Sequence, residues 1–120
     1  MSQVVIGVVM VFFAGMGIYG LISPASLVAP FGTALLSADA RNEVRAVYGG
    51  FGLAVAAALA VAMHDVRLRV GVTTTVALAL AGMAAGRIIS MIVERPSRFY
   101  PTVLYLIVEA ALAAALSAAH

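Results

Sequence analysis

Between Val4 and Ile22 the sequence carries no charged side chain, and three further apolar runs follow, at about 40–63, 68–93 and 100–118. At 1.5 Å of rise per residue, about 20 helical residues cross a hydrocarbon core about 30 Å thick, so each run has the reach of a membrane span. Inside lipid every backbone N–H and C=O must be bonded within its own segment, and runs of this length satisfy that as helices. The composition agrees. Hydrophobic residues make up 64% of the 120 residues and charged ones 10%, far from the quarter usual in soluble domains. Mean hydropathy is +1.13. The expected fold is therefore all-α, a single transmembrane domain over residues 1–120, multi-pass in the cell (plasma or inner) membrane.

The connections order the helices. "HDVRLR" and "ERPSR" are short enough to make the helices they join antiparallel neighbours, which predicts a four-helix bundle running up-down-up-down. The first connection, "SPASLVAPFGTALLSADA", is longer and too apolar for a solvated loop. Ser23 and Pro24 have the form of an N-cap and first helical residue, and Pro30 with Gly32 ends whatever starts there. This predicts an interfacial segment between helices 1 and 2, lying at the membrane surface or folded over the bundle mouth. The opening run is too long for a secretory signal peptide and lacks the preceding basic residues of one. Arginine is more frequent in the first and third connections (Arg41, Arg45, Arg95, Arg98) than in the second (Arg67, Arg69), which places both termini outside.

Charge and residue types exclude several functions. The seven basic residues are all arginine and stand against five acids, giving a net charge of +2, too little for nucleic-acid binding. Cysteine is absent, which removes thiolate chemistry. His64 and His120 lie far apart at segment ends, with no metal-ligand spacing. "GGFG" has no preceding strand to make it a dinucleotide fingerprint. No metal, cofactor or catalytic triad is expected.

Small residues recur at helical spacing. Gly82, Gly86 and Ser90 form a stripe on the third helix, and Gly7 and Gly15 share a face of the first. Such stripes let backbones approach where water supplies no hydrophobic push, so the expectation is packing within the bundle, with homodimerisation the alternative.

The exception to apolarity is "GMAAGRIISMIV". An unpaired arginine at a helix centre costs about 2.5–3.5 kcal/mol on insertion scales, so Arg87 needs a partner. It lies roughly 10 Å below the end of its helix, and Glu109 lies roughly 12 Å into the next one from the same side. Matching depth on neighbouring helices makes Glu109 the expected counter-ion. At the head of the second helix, Ser37 or Asp39 can cap, Glu43 suits the first turns, and Arg45, Tyr48, Gly49 and Gly52 fall on one face at helical spacing. Tyr105 shares the face of Glu109 and Ser90 that of Arg87. The expected polar cluster is thus Glu43, Arg45, Tyr48, Arg87, Ser90, Tyr105 and Glu109, closed by Tyr19 and Gly20. The opposing reading is a purely structural clamp. The loop "ERPSRFYP" reads as a lipid-anchoring turn that contacts anionic head groups.

The run "EVRAVYGGFGLA", then "GRIIS" and a glutamate in the fourth helix, resembles a family of small four-helix bacterial membrane proteins known as a domain of unknown function, distantly similar to the DoxX-like group. That likeness implies the architecture and an inner-membrane location and carries no catalytic residues. Small multidrug transporters also have four spans, yet they use a first-helix glutamate that is missing here. The leading expectation is a non-enzymatic binding or accessory protein, in contact with membrane lipids, whose cluster holds a lipid-like or quinone-like molecule or docks a membrane complex. The alternatives are a proton-coupled transporter acting as a homo-oligomer, with Glu109 changing partners, and an enzyme with Glu109 or Glu43 as base and Tyr48 or Tyr105 as acid.

Overall fold

The structure, a computed structural model, describes residues 2–119; Met1 and His120, the latter placed above at a segment end, lie outside the described residues. Among the described residues the chain is all-α, without a strand. Helix α1 spans Ser2–Ile22. After it come the short α2 (Pro24–Val28) and a 3-10 turn (Ala29–Phe31). The next stretch runs from Ala38 to His64 in three pieces: α3 (Ala38–Val44), a π-helical segment (Arg45–Gly50) and α4 (Phe51–His64). Helix α5 spans Val66–Val93 and α6 spans Thr102–Ser117.

Three stretches, Ser2–Ile22, Ala38–His64 and Val66–Val93, are long and apolar enough to cross a membrane. Helix α6 has 16 residues, about 24 Å of rise, and is shorter than the run expected from the sequence. Pro101 stands as its N-cap residue, and Glu94 to Tyr100 stay outside any helix. Each of the long helices packs on its sequence neighbour, α1 also touches α6, and the core between them gathers Ile6, Val9, Phe13, Leu59, Leu80 and Leu116.

Helix ends follow their sequence signals. Ser37 caps α3, its Oγ accepting from Ala40 N at 3.0 Å, and Asp65 caps α5, accepting from Arg67 N at 3.0 Å. Ser23 is the N-cap of α2 with Pro24 in its first turn, but its hydroxyl bonds Ser26 Oγ at 2.8 Å rather than a backbone amide. Gly32 ends the 3-10 turn with φ +77°, a left-handed conformation that favours glycine. Arginines satisfy orphan carbonyls. Arg45 Nε donates to Leu21 O at the end of α1 (3.1 Å), and Arg69 donates to Ala62 O and Met63 O at the end of α4 (3.0 Å each). Hydroxyls within the helices turn back on their own backbone: Thr73 to Arg69 O at 2.7 Å, Thr75 to Gly71 O at 2.8 Å, Ser117 to Ala113 O at 2.8 Å.

Of the glycines singled out from the sequence, those on α5 do not pack, whereas Gly49 and Gly52 do. A Cβ on Gly82, Gly86 or Gly15 would meet nothing within 4 Å, and Ser90 is exposed. The stripe on α5 faces outward. Close approach occurs instead between α1 and the second stretch: a Cβ on Gly17 would lie 2.7 Å from Leu53 N, one on Gly20 2.9 Å from Gly49 N, and one on Gly52 2.8 Å from Phe13 O. Backbone meets backbone there, and only glycine fits.

Candidate functional site

Arg87 and Glu109 meet between α5 and α6. Arg87 Nε donates to Oε1 at 2.7 Å and Nη2 to Oε2 at 2.9 Å, a bidentate pair. The Glu109 side chain is 1% exposed and that of Arg87 24%, so the carboxylate is interred and the guanidinium keeps one edge open. The short connection sets the two helices side by side, and equal depth does the rest. Among the described residues no buried side-chain nitrogen or oxygen lacks a partner.

Two aromatic rings complete the guanidinium's surroundings. Its carbon lies 5.7 Å from the Phe31 ring centre and 5.6 Å from that of Tyr105, and those centres are 5.6 Å apart. The three groups stand near the corners of an equilateral triangle, a cation against two ring faces. Tyr100 adds a further ring 6.3 Å from Tyr105. Phe31 arrives from the first connection, at the end of the 3-10 turn that Pro30 and Gly32 shape. That connection is therefore folded over the ion pair, one of the two placements expected for it.

A cavity of about 560 Å³ opens onto this pair. Helix α1 supplies Phe12, Gly15, Met16 and Tyr19, and the first connection supplies Val28, Phe31 and Thr33. Tyr48 closes one flank, while Met83, Arg87, Tyr105 and Glu109 close another. The lining is apolar apart from one neutralised ion pair and a few hydroxyls, a composition and size typical of small-molecule pockets.

Of the seven residues expected to cluster, Tyr48, Arg87, Tyr105 and Glu109 line this cavity. The other three lie outside it. Arg45 turns to the Leu21 carbonyl, Glu43 is exposed on α3, and Ser90 is exposed because a three-residue step rotates it about 60° from Arg87. The π segment accounts for the division of the second stretch. Its wider turn, bonded i to i+5, breaks the face on which Arg45, Tyr48, Gly49 and Gly52 were expected together. Gly49 and Gly52 are buried against α1, while Tyr48, 39% exposed, is directed to the cavity side. Tyr19 also reaches the cavity, and Gly20 packs on Gly49. Sequence reasoning missed Phe31, Met16 and Met83. Phe31 carried a usable signal, an aromatic residue between Pro30 and Gly32. Among the described residues no three His, Asp or Glu side chains are placed to hold a metal ion.

Fold and site together define a small all-α protein with membrane-compatible helices and one buried interhelical ion pair beneath a pocket. The chain belongs to the family described as "Domain of unknown function (DUF4345)", whose model matches residues 1–120. No curated protein and no solved structure matches it.

Proposed function

We propose that this is a four-helix, multi-pass membrane protein that binds a lipid-like or quinone-like molecule without transforming it. The observation that carries the reading is the 560 Å³ cavity, apolar for most of its wall and floored by Arg87–Glu109 between the Phe31 and Tyr105 rings. A structural clamp alone needs no space beside it; here space and polar groups coincide. The arginine distribution favours the first and third connections on the cytoplasmic side, with both termini outside. A bacterial inner-membrane setting and a distant kinship with DoxX-like proteins rest on the layout of the apolar runs and on the "EVRAVYGGFGLA" motif.

Mild extraction followed by native mass spectrometry tests the binding. The protein should carry one small molecule at fixed stoichiometry. Gly15→Phe should remove it, because Gly15 lines the cavity and a Cβ there meets nothing within 4 Å, leaving room for a ring that fills the ligand's place without straining the fold. A wild-type protein that is always empty, or a folded Gly15→Phe variant that stays loaded, overturns the reading.

A further inference from the structure

A second, larger cavity of about 1160 Å³ lies between α4 and α5, with Phe13 and Met16 of α1 as its floor. Its α4 wall includes Phe51, Ala54 and Ala58, and its α5 wall includes Leu68, Val72 and Ala79. It follows α5 from Arg67 to Met83, about 24 Å of helix. Met16, Tyr48 and Met83 line this groove and also the polar cavity above Arg87–Glu109. The two spaces therefore share a wall of two flexible thioethers and one phenol, and methionine side chains yield readily to a passing ligand.

Resting on the binding function proposed above, we infer that the groove holds the single long hydrocarbon tail of a ligand whose uncharged, hydrogen-bonding head sits in the polar cavity, and that the ligand enters from the bilayer between α4 and α5. The head is uncharged because the charges it would meet are already matched. Arg87 and Glu109 are the charged side chains lining that cavity, and each is engaged bidentately with the other. An anionic head would face Glu109 and a cationic one Arg87, each paying desolvation without a free counter-charge. What the cavity does offer is hydroxyls, from Tyr19, Thr33, Tyr48 and Tyr105. The tail is long because the groove follows about 24 Å of α5, and it is single because walls of alanine, valine and leucine run as one channel toward the shared wall.

Photo-crosslinking in phosphatidylcholine vesicles tests this with three probes: a long-chain monoacylglycerol carrying a diazirine in its tail, the free fatty acid of the same chain, and a short-chain glycerol ester with a diazirine. The long neutral probe should label α4 and α5 groove residues saturably, with labelling competed at least tenfold by unlabelled monoacylglycerol or by a prenyl alcohol; the stronger competitor identifies a straight or a branched tail. The fatty acid should label at least tenfold less. Ala79→Trp and Ala54→Trp, on opposite walls at exposed positions, should abolish groove labelling and leave the short probe's labelling of the polar cavity intact. If the short probe labels the cavity while groove labelling is non-saturable, matched by the fatty acid, or unaffected by both tryptophans, this inference falls and the binding function stands. A groove that the long probe leaves unlabelled in vesicles where native mass spectrometry finds the protein as a dimer is assigned to a second copy, which overturns the inference. If no probe labels the polar cavity, the binding function itself fails.

Discussion

Where α1 meets the second helical stretch, Gly17, Gly20, Gly49 and Gly52 bring backbones into direct contact; where α5 meets α6, a buried ion pair joins a helix whose glycines touch nothing to one that has none. One seam depends on the absence of side chains and the other on the chemistry of two. The first is tolerant of chemistry and intolerant of volume, since a Cβ on Gly17, Gly20 or Gly52 strikes a main-chain atom that cannot move aside. The second does not depend on glycine and is intolerant of an unmatched charge. The glycine pattern alone does not separate them, for Gly82 and Gly86 have the spacing of a packing motif and lie outside.

The sharpest way to break this contrast is Arg87→Leu, which strands a carboxylate that is 1% exposed; a loss of about 3–5 kcal/mol is expected, read as unfolding of the detergent-solubilised protein. Arg87→Leu combined with Glu109→Leu should recover most of that loss, and a double variant as weak as the single would show that the pair does more than cancel charge. Next come Gly17→Ala and Gly52→Ala, where one methyl meets backbone and overpacking costs about 1–3 kcal/mol; the same assay checks them. Phe31→Ala removes one ring from the guanidinium and should cost about 0.5–2 kcal/mol, an effect that should disappear when Arg87 is already leucine. The smallest effect, and of opposite sign, belongs to Gly82→Ala: with nothing within 4 Å it should leave stability unchanged or raise it by up to about 1 kcal/mol. A marked loss there, with a change of mass in solution, would put a partner on that stripe.

Much of the architecture was legible because long apolar runs and isolated charges obey simple rules of length and pairing. The apolar runs, the Ser37 cap, the Gly32 turn and the partner of Arg87 all follow from span length, capping chemistry and depth. The faces of the helices were not legible. In a soluble helix the apolar side marks the core, but α1 is apolar all round, so nothing in its sequence distinguishes Gly15, which is open, from Gly17, which is pressed on Leu53. The π turn was hidden for a related reason. "RAVYGG" is compatible with an ordinary helix, and only the contact with α1 makes its wider winding useful, turning Arg45 to the end of α1 and Tyr48 to the cavity. Local reasoning placed both residues at the right height, Tyr48 at the cavity as it is found and Arg45 on the wrong side.

The arginine contacts at helix ends bear on how the molecule can move. Arg69 pins the start of α5 to the last carbonyls of α4, next to the single residue that joins them. Toward Tyr48 and Met83 the same two helices face each other through apolar side chains across the groove. Thr75 lines that groove but spends its hydroxyl on Gly71 of its own helix. Any opening of such a pair would be that of a compass, hinged at Asp65 and widest at its far tips, beside the ion pair.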